Sequence, residues 1–576
     1  MAPDGNDADD GTRSHPFRTI TRAQAAVREH VESMQGDIAV YLREGTYSLS
    51  EPLQFDHRDA GRHGHTVSYR AEPGEQVVVS GGQRIVGWES VGDGLFRAPI
   101  HGLRFRQLYV DGRRAVRART PNADEFARLI RWDEATRTIE VPRATLPADT
   151  ESTGLELTVL KQWTQDTVRI ESLERSGDTL VLHLKDPDRS KTFMGHLTLR
   201  LPEQPFFFEN AKALLDAGGE WWADGQAEWV YYRPREGKDL DRAVVIAPVL
   251  ERLVSIVGTP DDPVHDFRIH GVSFAYAGWN GPSDEGFATG QADALYSFHQ
   301  GREAREDRVP AALFVAHAHD LVLEGNGFAN MGGTAVTLHA GVTDTLLVGN
   351  EIHDVSGSGI VVDGVLEARL PDARLACERI TIANNRIERI GLDYRSSIGI
   401  FAGFVSDTII AHNDIHDVPY TGISVGWGWT DVETRLGRNL ILGNHVARAV
   451  TTMADGAGIY LLSNQPGTEI RGNYVHDLVR SPVAGSSPIV AIYLDEGSQG
   501  MLVADNVLEH VPLALFFHHA SHNRVVDTPG ELREKNGSTD NTQVVTSTFD
   551  RAYVVSQAGA GGSGTQGFER SSGTRP

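Results

Sequence analysis

Seven asparagines, Asn326, Asn350, Asn385, Asn413, Asn444, Asn473 and Asn506, recur at intervals of 24, 35, 28, 31, 29 and 33 residues. Each stands in the same phrase, seen plainly in LVLEGNGFANMGGTAVTL, LLVGNEIHDVSGSGIVV and IIAHNDIHDVPYTGISV. An alternating apolar strand runs into the turn asparagine, a second short strand follows, and a small-residue bend leads to a third strand of the form Gly-Ile-x-Val. A period of this length belongs to a solenoid. Period-two alternation within each strand buries one row of side chains along the axis and leaves the other outside. Asparagine suits the bend because it tolerates left-handed geometry and its amide can bond its neighbours in adjacent coils. The pattern predicts an all-β right-handed parallel β-helix, with seven coils spanning roughly 34 Å at a spacing of about 4.8 Å.

The same object begins near the N-terminus. TRAQAAVREHVESM places Ile20, Ala23, Val27 and Val31 on one helical face, as expected of a helix plugging the open end of a solenoid. DIAVYLREGTYSL and HTVSYRAEPGEQVVVSGG read as the first coils. From about Gly102 to Ala247 alternation persists without the coil period, which predicts an inserted antiparallel β-domain whose aromatics are core. The expected division is 1–101 for the cap and first coils, 102–247 for the insertion, 248–530 for the main helix and 531–576 for a flexible Gly/Ser-rich tail. Unequal spacings imply rim loops at Asp363 to Arg379, Trp427 to Arg438 and Asp477 to Ser487, which should shape a groove.

Composition narrows the partners. A net charge of −24 repels phosphate backbones and anionic lipid, so neither nucleic acid nor a membrane is expected as partner. A neutral or basic ligand fits better, and a monomer is expected. The single cysteine, Cys377, excludes an internal disulfide and any multi-cysteine zinc site. MAPDGNDADDG has neither a basic start nor an apolar stretch, so no leader is read here. The compartment stays open: cytoplasmic if Met1 is the native start, secreted otherwise.

Function on such a scaffold sits on the outward row and the rim loops. Aligning the Gly-Ile-x-Val strands puts Val361, Phe401, Ser424, Tyr460 and Tyr493 in one outward column, and Asp363, Gly403, Gly426, Leu462 and Asp495 in the next. Exposed aromatic rings stack on the apolar faces of sugars, and carboxylates are what glycosidic cleavage needs. The plainer reading is a tyrosine ladder along a sheet surface. Asp455 precedes one tyrosine strand, whereas Asp495 and Glu496 follow its neighbour, so the acids flank the aromatic pair. Two carboxylates across a sugar can divide the labour, one protonating the leaving oxygen while the other activates water or attacks the anomeric carbon. In strand alignment Asp455 and Asp495 stand seven positions apart, roughly 20 Å if extended. Gly456 and Gly458 must therefore fold the chain back; otherwise Asp495 with Glu496, or either with a rim residue, is the better pair. The plainer alternative is that Asp455 caps its turn and Asp495-Glu496-Gly497 forms an ordinary acidic turn.

The segments QLYVDGRRAVRARTPN, FFFENAKALLDAGGEWWADG with the following VYYRPREG, DGAGIYLLSNQPGTEIRGNYVHD and IYLDEGS resemble right-handed β-helix glycoside hydrolases of family 141 and their relatives, over nearly the whole chain up to about Asp527. The resemblance implies α-L-fucosidase or xylanase-type action on plant cell-wall glycans by a pair of aspartates, with inverting chemistry and no metal or other cofactor. Asp455 and Asp495 are the residues that match.

Other residues are candidates for substrate contact. Trp427 and Trp429 open a rim loop and are reasonable sugar platforms, with loop packing as the alternative. Tyr394, Arg395 and Tyr420 sit in bends on the same side, and His518, His519 and His522 lie near the acidic coil, with His518 the best placed to line a pocket. The recurring His-Asp pairs, His353-Asp354, His416-Asp417 and His476-Asp477, look like a metal ladder, but repetition at one coil position is what structural turn bonding predicts. Two rival functions remain open. A polysaccharide lyase or epimerase needs a basic group beside a uronate, often with calcium; a non-catalytic glycan-binding β-helix would not need Asp455 or Asp495.

Overall fold

The computed structural model describes residues 1–194, 203–224, 228–299, 302–362, 369–546 and 549–561. Three parallel sheets form the faces of a β-helix, and in each a strand pairs with its equivalent one coil away. The first face runs from Ile38–Leu42 to Thr542–Val544, the second from Gly45–Ser48 to Val507–Glu509, and the third from Leu53–Phe55 to Leu532–Lys535. The interior is a continuous column of Ile, Val and Leu, with Ile382, Ile410, Ile441 and Ile470 stacked in register on the first face. No helix among the described residues is long and apolar enough to cross a membrane.

All seven turn asparagines are buried and form a ladder. The backbone N–H of Asn413 donates to Oδ1 of Asn444 at 3.0 Å, and the Asn413 amide donates to the same oxygen and to the carbonyl of Ile382. The pattern repeats from Asn350 to Asn473 and ends at Asn506, which donates to the hydroxyl of Thr528. The left-handed residue is not the asparagine but the one before it: Gly325, Gly349, Asn384, His412, Gly443, Gly472 and Asp505 all have positive φ. That residue turns the chain, which frees the asparagine to bond between coils.

The helix Ile20–His30 caps the open end, burying Ile20, Ala23 and Val27, with Thr19 accepting from the Arg22 N–H. Antiparallel strands begin at Gly82–Ile85, which pairs with Val245–Pro248. The expected boundary at 102 therefore falls inside the insertion, because the chain leaves the coil as soon as Val77–Ser80 ends. At the other end Leu532–Lys535 and Thr542–Val544 pair with the last coil and a helix spans Arg551–Gln557, so ordered structure continues past 530. The Gly/Ser-rich residues 562–576 lie outside the described residues, as does Asp363.

A buried ionic cluster lies within the insertion, and one ion pair joins the insertion to the helix. Arg106 bonds Glu156 and Glu209, Arg117 reaches Glu156 at 2.7 Å, and Arg114 bonds Asp393 of the helix at 2.9 Å. Burial alone would raise the Glu156 carboxyl, yet Arg106 and Arg117 hold it well below the usual range.

Asn413→Leu should strand the Asn385 N–H and the Ile382 carbonyl in the interior at a cost on the order of 3 kcal/mol. Urea unfolding followed by circular dichroism should show a markedly lower midpoint, and an unchanged midpoint would show that the ladder contributes nothing.

Candidate active site

Two neighbouring strands of the third sheet carry the site. Gly456–Leu461 and Ile489–Leu494 pair in parallel, with Gly456 opposite Ile489 and Tyr460 opposite Tyr493. Asp455 enters the first strand with a left-handed backbone, φ +55°. Asp495 leaves the second. The chain stays extended between Gly456 and Leu461, so Gly456 and Gly458 do not fold it back. They serve close packing instead: a Cβ at Gly456 would stand 2.6 Å from the Tyr420 ring, and one at Gly458 would stand 2.4 Å from Val475.

The acids meet through tyrosine. Tyr460 donates its hydroxyl to Oδ2 of Asp495, and His518 Nδ1 lies 2.7 Å from Oδ1. The Tyr493 hydroxyl interacts with both Asp455 and Asp495. The long phenol side chain thus spans the gap that strand alignment leaves between them. The environments of the two acids differ. Burial and then the charge on Asp495 push the Asp455 carboxyl up to about 7. Asp495 instead accepts from Tyr460 and pairs with His518, whose imidazole is raised chiefly by that hydrogen bond. Asn536 lies 2.7 Å from His518 Nε2 and fixes the far side of the ring.

Asp455 is also held through its backbone. Tyr420 donates its hydroxyl to the Asp455 carbonyl at 2.8 Å, and the N–H of Ala454 donates to the carbonyl of Gln162 at 2.7 Å. Gln162 belongs to a tight turn of the insertion and also accepts from the Ser487 N–H through its side chain. Nearby, Gln165 donates to the Asp393 carbonyl and accepts from the Arg395 N–H. Gln162, Gln165 and Asn536 carry no motif, and nothing in the sequence singles them out.

The column of Val361, Phe401, Ser424, Tyr460 and Tyr493 is in register as expected, but it is buried rather than exposed. Leu462, Leu513, Phe516 and Trp429 pack over the tyrosines. Trp429 is half-buried and keeps part of its ring outside, whereas Trp427 is interior, edge-on to Phe401. Tyr394 is fully buried against Trp279 and Phe287, which removes it from the surface where a ligand could touch it. Glu496 is exposed and 4.0 Å from His518.

The histidines of the repeat are structural. His353, His416 and His476 each face the neighbouring aspartate at 2.7 to 2.9 Å, and Asp354, Asp417 and Asp477 have positive φ in the turn. Among the described residues Glu496, His518 and His519 have ligand atoms within 4.8 Å of one another, a grouping able to hold a metal. His518 already directs Nδ1 to Asp495 and Nε2 to Asn536, so a metal there would displace the Asn536 amide.

Comparison with known proteins bears on the fold and the family. The GH141 insertion domain matches residues 97–235, a right-handed β-helix region matches 311–508, and a family of unknown function matches 4–56. A solved structure named as a glycoside hydrolase superimposes with a TM-score of 0.87 at 29% identity, covering 97% of this chain and 98% of the other. A structure named as XylC with xylose is more distant, with a TM-score of 0.47 at 14% identity over 93% of this chain and 69% of that one. The uncharacterized protein YwoF of Bacillus subtilis (strain 168) is 32% identical over 100 residues, which are 17% of this chain and 18% of that protein. With its insertion domain and full-length structural likeness, the chain is a glycoside hydrolase family 141-like right-handed parallel β-helix protein.

Proposed function

We propose that this glycoside hydrolase cleaves a plant-type or microbial oligo- or polysaccharide with Asp455 as general acid and Asp495 as general base. The observation that carries the assignment is the contrast between two carboxylates that share Tyr493. Asp455, pushed up to about 7, holds a proton near neutrality and can give it to the leaving oxygen. Asp495 accepts from Tyr460 and pairs with His518, an arrangement suited to the charged form that takes a proton from water. With one carboxyl as acid and the other as base, water attacks directly and the anomeric centre inverts. The exposed part of the Trp429 ring offers a face for the sugar, and His518 lines the same pocket. Both acids come from one chain.

Asp455→Asn and Asp495→Asn should each reduce kcat by about 100-fold or more while leaving the melting temperature nearly unchanged. Full activity in both variants on a screen of aryl glycosides and plant polysaccharides would end the assignment, and unsaturated products absorbing in the ultraviolet would replace it with a lyase.

Because Asp455 must be protonated, kcat should fall as pH rises through about 7. A profile flat from pH 6 to 8 would remove Asp455 from the role of acid.

Proton NMR of the first product should show the anomer opposite to that of the substrate. Retention would make Asp495 a nucleophile instead of a base.

A further inference from the structure

Between the insertion and the helix lies a cavity of about 180 Å³, and its charge runs against that of the chain. The protein carries −24 overall, yet five arginines line this space against three carboxylates. The lining carboxylates are Asp124, Glu209 and Asp393, with Glu156 behind them, and ion pairs engage three of the arginines. Glu156 and Glu209 engage Arg106 and Arg117, and Asp393 engages Arg114. Among the described residues Arg119 and Arg395 form no ion pair within 4 Å; Glu209 and Asp124 act on Arg119, and Asp393 and Asp124 on Arg395, only at longer range.

The two guanidiniums are held differently. Arg119 is buried, donates to the carbonyls of Pro121 and Glu125 at 2.9 Å, and lies 3.6 Å from the centre of the Phe207 ring. Its position is fixed. Arg395 is anchored through its backbone to Gln165, while its side chain makes only a long contact of 3.4 Å with the Gly391 carbonyl. Burial lowers both and outweighs the carboxylates that raise them, Glu209 and Asp124 for Arg119 and Asp393 and Asp124 for Arg395. Unpaired cationic groups taken partly out of water are costly, and a ligand carboxylate accepting from the planar guanidinium fork offsets that cost.

The place of the cavity relative to the catalytic acid follows from the strand register. Ile400 pairs with Ile423 and Ile423 with Ile459. Those pairings set the coil of Arg395 two coils from that of Asp455. Two coils are roughly 10 Å. The insertion spans the interval, since Gln162 touches Ala454 and Gln165 touches Arg395.

We propose that this cavity binds the carboxylate of a uronic acid residue of the glycan, with Arg395 as the principal contact and Arg119 beside it. The inference rests on the reading of the protein as a glycosidase with its acid at Asp455, and it narrows the substrate class to glycans that carry an acidic sugar a short distance from the cleaved bond. The volume admits a single ring, so the chain is read at one residue.

Binding of single sugars separates this claim from catalysis. Glucuronate and galacturonate are titrated into the wild-type protein, Asp455→Asn, Arg395→Gln and Arg395→Lys, followed by ligand-observed NMR at low and high salt. Glucose and galactose serve as neutral controls and a sulfated galactose as the other anion. Wild type and Asp455→Asn should bind the uronates alike, at least tenfold more tightly than the neutral sugars and more weakly in high salt. Arg395→Gln should lose that preference and Arg395→Lys should keep part of it, with unchanged melting temperatures. Equal binding of uronates and neutral sugars, or unchanged uronate binding in Arg395→Gln, would overturn the proposal, and tighter binding of the sulfated sugar would overturn its assignment to a carboxylate. Since no turnover is involved, loss of this preference leaves the assignment of Asp455 and Asp495 standing, and failure of that assignment in the activity screen leaves the binding result to be judged alone.

Discussion

Bonding between coils along the asparagine ladder sets the spacing and register on which every other feature of the structure depends. Each buried amide accepts from the backbone of the preceding coil and donates to the next amide and to a carbonyl, so a turn that would strand polar groups inside the protein becomes continuous. With the turns fixed, the third-face strands align residue for residue. That alignment places Tyr460 beside Tyr493 and brings their hydroxyls to the two acids.

The insertion completes what the coils begin. A solenoid presents repeated positions, and a catalytic centre needs groups that occur once. Here the single groups come from chain folded outside the repeat: Gln162 at Ala454, Gln165 at Arg395, and the arginines around Glu156 and Asp393. The buried ionic cluster holds the insertion together, and the Arg114–Asp393 pair ties it to the helix.

The fold was legible from the asparagine spacing because a periodic backbone writes itself into a periodic sequence. The tyrosine column and the two acids were legible for the same reason, as interruptions of that period. Alternation reports which way a side chain leaves its strand but not what covers it. For that reason Tyr394 and Trp427 read as exposed when they are interior, and the tyrosine column read as a free surface. The left-handed residue was placed on the asparagines and belongs to their predecessors, since glycine at four of the seven positions was a signal that the bonding role of asparagine overshadowed. The contributions of Gln162, Gln165 and Asn536 depend on contacts between segments remote in sequence, and no local pattern encodes them.

The clamp on Asp455 bears on how a fold this rigid can tolerate variation. The peptide at Asp455 is held on one side by the insertion and on the other by Tyr420, so the proposed proton donor is placed jointly by two layers. Loops on the rim can lengthen or shrink without moving it, which leaves substrate choice open to change, whereas any shift of one layer against the other displaces the acid. Evolution of new specificities on this scaffold is thereby channelled into the rim and the cavity walls, and the seam between the layers is the part that must be inherited whole.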